Sequence, residues 1–483
     1  MQTLNYIAGR WQAAQDGRQF EVRNPADDSL ITLAADGGAA DARLAADAAA
    51  VALPAWKARS PRDRCLILKK WQALIERDVE PLAELISREQ GKPLAESRGE
   101  IAYSAGYVEW FAEEGVRAHG EIIAAPVSSK RYLVLREAVG VVAVVTPWNF
   151  PAAMIARKIA PALAAGCTVV AKPAEDTPLT SLALVKLAEE AGVPAGVLNI
   201  VPASRDRTPE VVGEWLRDGR VRKVSFTGST AVGKILARES AGTVKKLSLE
   251  LGGNAPFIVF EDADLDAAVE GLMAAKFRNG GQTCVSPNRV FAHESVHDRF
   301  VDKLAARVGA LRVGPASWAE AEIGPMINGR AVDKIERHVN DAVAKGAKAV
   351  VGGSRVRTDV ANGPNYYAPT VLTGATPDME LSCEETFGPV VPIFRFSTEE
   401  EVIAQANDTP FGLAGYFFSN NIKRVWRVAS ALETGLVGIN EGAIAAQAAP
   451  FGGVKESGYG REGSHWGLDE YLHTKYLCQG NLT

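Results

Sequence analysis

Residues 141–146 read Val-Val-Ala-Val-Val-Thr, and this apolar run decides the fold. A continuous stretch rich in β-branched residues is typical of a strand that is buried on both faces of a parallel sheet. Comparable runs follow at residues 168–171, 198–201 and 221–226, in a region that also has helical patterns. Strands and helices that alternate at this spacing predict a doubly wound α/β sheet, in which ligands bind beyond the carboxyl ends of the strands.

A second α/β unit is predicted to begin after the glycine pair at residues 252–253. Its expected strands include residues 257–260 and 289–291, with a helix at 264–277 between them. Residues 435–440 are predicted to form its last buried strand. The fold class is therefore α/β with two doubly wound domains, because a chain of 483 residues is too long for one hydrophobic core.

Further extended patterns lie outside these two units. A pair of short strands is predicted between residues 122 and 135, and a single strand within 468–479. The tail strand has no predicted partner within the chain. Because an unpaired strand edge is a template for another chain, we expect it to pair across a subunit interface.

The composition is that of an ordinary soluble globular protein, with 47% hydrophobic and 23% charged residues. A net charge of −5 gives no reason to expect a nucleic acid or an anionic membrane as a partner. No apolar run reaches the ~18 residues that a membrane span requires, and the first residues have no signal-peptide pattern. The five cysteines are odd in number and widely separated, which predicts a reducing compartment and a cytoplasmic protein.

One cysteine stands in a context that suggests chemistry. Residues 277–284 read Phe-Arg-Asn-Gly-Gly-Gln-Thr-Cys, and no second thiol is near enough to Cys284 for a metal site or a disulfide. Paired glycines allow a tight turn, and a thiol at the end of such a turn can act as a nucleophile. The alternative is a buried, inert cysteine. No metal is expected.

Polar residues near the ends of the predicted strands are the next candidates. Asn149 lies between two prolines and could donate its amide to a developing oxyanion, although a turn-forming asparagine is the alternative. Glu250 lies between leucines, and if it is buried, its raised pKa would suit a general base. Otherwise Glu250 is a solvated residue at a domain hinge.

Other residues could contact a nucleotide. Lys172 and Glu175 follow a predicted strand and could bind ribose hydroxyls, or they could form a solvated pair in a loop. Gly228 and Ser229 open a predicted helix whose first N–H groups could receive a phosphate. The segment lacks the Gly-x-Gly-x-x-Gly pattern, so by itself it is a weak dinucleotide signal.

Taken in order, these and other short segments resemble the aldehyde dehydrogenase superfamily along essentially the whole chain. The segments that carry the resemblance are residues 146–151, 172–175, 226–230, 249–254, 281–284, 385–389 and 450–455. The resemblance implies an NAD-binding domain at residues 1–120 and 141–251 and a catalytic domain at 252–440. It also implies a small β oligomerisation element at 121–140 and 468–483, and therefore a homodimer or homotetramer.

The resemblance further implies a reaction, the NAD(P)-dependent oxidation of an aldehyde to a carboxylic acid. Cys284 would form a thiohemiacetal with the aldehyde, and loss of a hydride to the nicotinamide would leave a thioester. Asn149 and the backbone N–H of Cys284 would form the oxyanion hole, and Glu250 would activate the water that hydrolyses the thioester. These roles suit the side chains, because a thiolate is a soft nucleophile and a carboxylate of raised pKa can deprotonate water.

By the same resemblance, one set of residues would hold the cofactor. These are Lys172 and Glu175 at the adenosine ribose, Trp148, Gly228 and Ser229 at the pyrophosphate, and Glu385 and Phe387 at the nicotinamide half. A carboxylate at Glu175 would accept hydrogen bonds from the 2′-hydroxyl and repel a 2′-phosphate. NAD is therefore the predicted cofactor, with NADP also accepted.

Within the superfamily, longer strings such as residues 150–155, 162–167 and 252–260 resemble bacterial succinate-semialdehyde dehydrogenases. Arg157 and Arg278 match positions where such enzymes bind the distal carboxylate, and a guanidinium binds carboxylate bidentately. A structural salt bridge is the alternative for each arginine. The predicted substrate is therefore a small aldehyde that carries a carboxylate, with succinate semialdehyde as the first candidate.

Two features depart from that pattern. Residues 444–448 read Ile-Ala-Ala-Gln-Ala where a serine usually completes the carboxylate site, so one ligand is missing or is supplied by Gln447. The alanine pair leaves room for a longer acid such as glutarate semialdehyde. Ser286 stands where some relatives have a second cysteine, so no redox-switching disulfide with Cys284 is expected.

Other functions remain as alternatives. A non-catalytic structural protein of the same fold is disfavoured by the combined presence of Cys284, Glu250, Asn149, Lys172 and Glu385. A thiol esterase would need only the first three of these residues, and the cofactor residues leave it as a side activity. A dehydrogenase of uncharged or cationic aldehydes is opposed by the two arginines.

Overall fold

The computed structural model describes residues 1–482. The strands and helices up to residue 250 are, in chain order, β1 (Asn5–Ile7), β2 (Arg10–Gln12), β3 (Gln19–Arg23), β4 (Leu30–Ala35), α1 (Ala39–Lys57), α2 (Pro61–Arg77), α3 (Val79–Gln90), α4 (Leu94–Glu114), β5 (Glu121–Ile123), β6 (Arg131–Ala138), β7 (Val141–Val145), α5 (Ala153–Ala165), β8 (Thr168–Lys172), α6 (Pro178–Ala191), β9 (Leu198–Ile200), α7 (Thr208–Arg217), β10 (Val221–Thr227), α8 (Thr230–Ser240) and β11 (Lys246–Glu250).

The remaining strands and helices are β12 (Ala255–Val259), α9 (Leu265–Lys276), β13 (Pro287–His293), α10 (His297–Gly309), α11 (Gly329–Ala344), β14 (Lys348–Val351), β15 (Thr370–Thr373), α12 (Glu380–Cys383), β16 (Val390–Phe396), α13 (Glu399–Asn407), β17 (Phe411–Gly412), β18 (Ala414–Phe418), α14 (Ile422–Ala431), β19 (Leu436–Ile439), β20 (Val454–Lys455), β21 (Gly458–Tyr459), α15 (Ser464–Asp469) and β22 (Leu472–Gln479). Among residues 1–482, no helix has the length and apolar character needed to cross a membrane.

The first sheet is 8-stranded, in the order β2-β1-β9-β8-β7-β10-β11-β21. Its central strands, from β9 to β11, are parallel, and the strands at both edges are antiparallel to their neighbours. Val142 and Val144 of β7 pack in a core with α2, α4 and α5, whereas Val141 and Val145 pack on the opposite face with α1 and α7. Because successive side chains of a strand point to opposite faces, a strand covered on both faces is apolar throughout.

The second sheet is 7-stranded, in the order β14-β15-β16-β13-β12-β18-β19, and only β14 is antiparallel to its neighbour. The two sheets confirm the predicted α/β fold with two doubly wound units. The prediction of a last buried strand at residues 435–440 is wrong, because β19 lies at the edge of the sheet. There Leu436 is half-buried and Ile439 is exposed.

A third sheet is 3-stranded, in the order β22-β6-β5. The tail strand β22 pairs antiparallel with β6, from Leu472 opposite Ala138 to Gln479 opposite Arg131. The prediction that the tail strand lacks a partner within the chain is therefore wrong, because β6 supplies one. The predicted segments 121–140 and 468–483 thus share a sheet, apart from residue 483, which lies outside the described residues.

The carboxyl end of the first sheet faces the amino end of the second. Strand β11 ends at Glu250, and β12 begins at Ala255. Asn149, just beyond β7, donates its side-chain amide to the carbonyl of Gln282, just before β13 (3.0 Å). The predicted strand-end residues therefore meet the predicted cysteine loop between the two sheets.

Candidate active site

Cys284 lies in the loop between α9 and β13. Asn279, Gly280 and Gly281 in this loop have positive φ angles of 53°, 61° and 77°, a region that glycine enters without a steric penalty. A Cβ atom at Gly281 would also lie 2.3 Å from the carbonyl oxygen of Gly388. The predicted tight turn is present, and its last position requires glycine.

Hydrogen bonds fix this loop from two sides. Asn149 donates a hydrogen bond to the carbonyl of Gln282, and its own backbone carbonyl accepts one from the side-chain amide of Asn279 (2.9 Å). The side-chain oxygen of Gln282 accepts from the N–H of Ile327 (3.0 Å). Asn149 is thereby held beside the residues that precede Cys284, as a donor to an oxyanion formed there would have to be.

Cys284 is partly exposed to a cavity of about 290 Å³. Burial raises the pKa of its thiol to about 12; the Arg157 guanidinium opposes this shift, and Glu385 and Glu250 add to it. In the free protein the thiol therefore keeps its proton at neutral pH. Arg157 is the nearby charge that favours the thiolate.

Glu250, the last residue of β11, is 1% exposed. Neither of its carboxylate oxygens has a hydrogen-bond partner among residues 1–482. Burial and the neighbouring Glu462 raise the pKa of Glu250 well above its ordinary value, against the opposing charges of Arg157 and Lys158. The solvated-hinge alternative is therefore wrong, and a carboxyl group in this state is suited to proton transfer.

A buried ion-pair cluster, which the sequence analysis missed, lies beside Glu250. Glu462 pairs through one oxygen with Nε of Arg157 and through the other with Nζ of Lys158. Nε of Arg157 thus forms the structural salt bridge that was the alternative prediction. Nη2 of the same side chain is buried without a hydrogen-bond partner among the described residues. No sequence pattern could have joined Lys158 to Glu462, because they are 304 positions apart.

The walls of the Cys284 cavity combine apolar surface with the cations Arg157 and Arg278 and the carboxyl groups Glu96 and Glu100. Its lining includes Tyr103, Phe150, Met154, Arg157, Arg278, Ala445 and Phe451. Arg278 is exposed, and its guanidinium carbon lies 5.1 Å from the centroid of the Phe150 ring. Within residues 1–482 it forms no ion pair, so the salt-bridge alternative is wrong for Arg278. The structure therefore brings both predicted arginines to the cavity of the predicted nucleophile.

A second cavity, of about 480 Å³, adjoins the first one. The two cavities share Glu96, Arg278, Val285 and Ala445 in their linings. Arg278 therefore stands where the outer cavity meets the cavity of Cys284, and a small molecule that entered by this route would pass its guanidinium.

Gln447 does not complete the site around Cys284. Its side-chain amide donates to the backbone carbonyl of Tyr103 (3.4 Å). It also packs on Gly106 of α4, where an added Cβ would lie 2.5 Å from the amide nitrogen. The prediction that Gln447 supplies the missing ligand is therefore wrong, because α4 holds its amide. Ala445 contributes to the cavity instead.

Lys172 and Glu175 form the predicted pair at the end of β8. Nζ of Lys172 lies 2.9 Å from Oε2 of Glu175. Burial acts to raise the pKa of Glu175, but the cations of Lys172 and Arg205 help to lower it overall. Glu175 is only partly buried, so its charged carboxylate is within reach of a ligand.

Ser229 caps the amino end of α8, where its hydroxyl accepts from the N–H of Val232 (3.4 Å). Ser229 is exposed and Gly228 is half-buried. A Cβ at Gly228 would lie 2.4 Å from the ring of Phe226, so a larger residue does not fit there. The predicted strand–turn–helix is confirmed, and its exposed helix start is of the kind that receives phosphates.

Glu385 and Phe387 contact the residues that follow β11 and β7. Oε1 of Glu385 accepts from the N–H of Gly253 (3.2 Å), and burial raises the pKa of Glu385 to about 7. Phe387 has a φ angle of 57°, and its ring meets Trp148 edge to face with centroids 5.5 Å apart. A positive φ at an aromatic residue is strained and is typical of ligand clamps.

These groups fit a dinucleotide. A charged carboxylate beside a lysine suits a ribose, and the exposed start of a helix suits a pyrophosphate. The half-buried carboxyl group of Glu385 and the aromatic pair of Trp148 and Phe387 are available to the nicotinamide half. The residues present therefore fit NAD(P), although the sequence lacks the Gly-x-Gly-x-x-Gly pattern of many dinucleotide sites.

Comparison with known proteins identifies the family. Residues 11–477 match the model of the aldehyde dehydrogenase family. A glutarate-semialdehyde dehydrogenase of Pseudomonas putida is 51% identical over 98% of this chain and 97% of its own length. An Escherichia coli succinate-semialdehyde dehydrogenase named for NADP(+) is 51% identical with the same coverage of 98% and 97%.

A solved structure is also similar to this chain. The succinate-semialdehyde dehydrogenase of Burkholderia pseudomallei has a TM-score of 0.96 and 55% identity, covering 98% of this chain and 97% of its own. The chain therefore belongs to the aldehyde dehydrogenase family. The predicted fold and the predicted enzyme class, an aldehyde dehydrogenase, are confirmed.

Proposed function

We propose that this enzyme oxidises succinate semialdehyde, or its longer homologue glutarate semialdehyde, to the corresponding dicarboxylic acid. The observation that carries the proposal is Arg278, an exposed guanidinium that lines the cavity of Cys284 and has no ion pair among residues 1–482. A guanidinium binds a carboxylate through two parallel hydrogen bonds. The relatives named for these two semialdehydes support the proposal.

The side chains support a thioester route. Cys284 first gives its thiol proton to water. The thiolate then bonds to the aldehyde carbon, and the amide of Asn149 and the backbone N–H of Cys284 stabilise the charge that moves to the aldehyde oxygen. NAD(P)⁺ bound beside Glu385 would accept the hydride that this carbon loses, which leaves a thioester on the cysteine. Glu250 takes a proton from water, the water oxygen bonds to the acyl carbon, the C–S bond breaks, and Cys284 regains its proton.

The cofactor that we propose is NAD, with NADP also accepted. The charged carboxylate of Glu175 would repel a 2′-phosphate at short range. Lys172 and Arg205, which both lower the pKa of Glu175, offset part of that repulsion. The relative named for NADP(+) makes NADP the alternative.

Glutarate semialdehyde is the alternative substrate because one wall of the cavity has only small side chains facing it. Ala445 lines the cavity there, and Gln447 is held away from it by α4. The space beside Cys284 is therefore larger than a residue with a long side chain at position 445 would leave. Succinate semialdehyde remains the first candidate.

We also propose that the sheet of β5, β6 and β22 mediates a homodimer or homotetramer. It exposes apolar and aromatic side chains, including Ile122 (78% exposed) and Tyr476 (56% exposed). Strands β5 and β22 are its two edges, and open edges pair readily with other strands. Light scattering at several concentrations tests this proposal. The domain boundaries and the cytoplasmic location stay predictions.

The substrate proposal is tested by replacing Arg278. Arg278→Leu should remove most of the preference for a semialdehyde over an uncharged aldehyde of equal length, measured as the ratio of kcat/KM values. Arg307→Leu is the matched control, because Arg307 lines only the outer cavity and pairs with Glu270 (2.8 Å). A preference that survives Arg278→Leu would contradict the proposal.

A further inference from the structure

A pair of tyrosine hydroxyls borders the cavity of Cys284. Tyr103 and Tyr107 lie one turn apart on α4, with ring centroids 4.9 Å apart in an edge-to-face arrangement. Their hydroxyl oxygens are 2.9 Å apart. Tyr103 lines the cavity together with both arginines, whereas Tyr107 is fully buried.

The burial of Tyr107 decides which of the two hydroxyls donates. Among residues 1–482, the Tyr107 hydroxyl has no hydrogen-bond partner other than the Tyr103 hydroxyl. Burial raises the pKa of Tyr107 well above its ordinary value, so this hydroxyl keeps its proton. A buried O–H without an acceptor is costly. Tyr107 therefore donates to Tyr103, and the O–H of Tyr103 is left free to donate to a molecule in the cavity.

This free donor lies where the carboxylate site is incomplete. The loop at residues 444–448 supplies no hydrogen-bonding side chain to the cavity, since Ala445 has none and Gln447 is bonded to α4. The cavity lining has three other donors: Arg278, Nη2 of Arg157 and the hydroxyl of Thr283, of which the last two are buried without a partner among the described residues. A carboxylate offers about four lone-pair sites, so it can accept from Tyr103 as well as from the arginines.

We infer that Tyr103 is a specificity-determining residue whose hydroxyl donates to the distal carboxylate of the substrate. The inference rests on the proposed semialdehyde function and adds a residue to it. A tyrosine hydroxyl that bonds a carboxylate forms a charge-assisted hydrogen bond. It would replace the contact that the alanine-rich loop does not make.

The test compares Tyr103→Phe with Tyr107→Phe in the full-length enzyme. Tyr103→Phe keeps the ring and removes the donor, so kcat/KM for succinate semialdehyde should fall by about 10-fold or more, chiefly through KM. The value for butanal, an uncharged aldehyde of equal length, should stay within about 2-fold. Tyr107→Phe removes the deeper hydroxyl and leaves the donor, so it should keep the preference for the semialdehyde.

Three results would overturn the inference. Equal losses for both aldehydes in Tyr103→Phe would indicate that Tyr103 only shapes the cavity, and an unchanged preference would show that its hydroxyl makes no contact. A wild-type enzyme without any preference would overturn the proposed function itself, and this inference with it. If Tyr103→Phe is unstable, Tyr103→His keeps an N–H donor on a ring and should retain part of the preference.

Discussion

The side-chain amide of Asn149 donates to the carbonyl of Gln282 across 3.0 Å, and this bond joins the end of β7 to the loop that carries Cys284. An asparagine amide has two N–H groups, and this bond uses one of them. The same side chain can therefore hold the loop and donate its second N–H to the charge that develops on an aldehyde oxygen.

Asn149→Ala should lower kcat/KM for the aldehyde by roughly 10²–10³, the usual cost of removing one oxyanion donor. Steady-state NADH formation measures it. The exposed Asn420, which bonds Asp262 far from the cavity, provides a control in Asn420→Ala, which should leave the rate unchanged. A loss below about 3-fold in Asn149→Ala would exclude an oxyanion role, since even one weak donor is worth more.

Glu250→Gln should stop turnover without stopping hydride transfer. A general base contributes about 10²–10⁴ in rate, so the steady-state rate should fall by at least about 100-fold. Rapid mixing should still show a burst of NADH close to one equivalent of enzyme, because the thioester forms and then accumulates. Cys284→Ser is the control that should show no burst, and a lost burst in Glu250→Gln would place Glu250 before the thioester.

Alkylation of Cys284 should be slow at neutral pH and should accelerate with pH. Burial raises the pKa of this thiol to about 12, and only the thiolate reacts. The thiolate fraction, and with it the rate of iodoacetamide labelling in the cofactor-free enzyme, should rise nearly tenfold per pH unit from 7 to about 10 without levelling off. Peptide mapping separates Cys284 from the exposed Cys383 and Cys478. A plateau below pH 9 would mean that Arg157 outweighs burial.

Glu175→Ser should relax the preference for NAD over NADP. Removing the carboxylate ends its repulsion of a 2′-phosphate and leaves the Lys172 cation, 2.9 Å away in the wild type, without its partner. The ratio of kcat/KM for NAD to that for NADP should therefore fall by about 10-fold or more. An unchanged ratio would remove the argument that Glu175 selects the cofactor.

Much of the fold could be predicted because its decisive strands are covered on both faces. All five residues of 141–145 are buried, so they must be apolar, and this apolar run is recognisable in the sequence. Helix α7 and strand β11 were not predicted. In β11 the sequence Lys-Leu-Ser-Leu-Glu mixes polar and apolar residues, because Leu247 and Leu249 pack in the apolar core on one face, whereas Ser248 on the other face bonds the carboxylate of Glu470.

The residues of the site also fall into a predictable and an unpredictable group. Cys284, Asn149 and Arg278 lie in short segments that have recognisable chemistry of their own, and the structure brings them together. Glu462 was missed because its role depends on Arg157 and Lys158, which reach it only in the folded chain. The residue pattern alone does not predict β6 as the partner of β22, because most of the sequence separates the two strands and an alternating pattern fits many partners. Only the family resemblance grouped their two segments.

The central claim is that a cation beside Cys284 selects aldehydes that end in a carboxylate. The most direct measurement is NADH formation by the wild-type enzyme with succinate semialdehyde, glutarate semialdehyde and an uncharged aldehyde of equal length. We predict that kcat/KM favours the semialdehydes by ~100-fold or more, as expected for a desolvated charge pair. Equal turnover of the uncharged aldehyde would show that Arg278 and Arg157 serve structure rather than substrate selection.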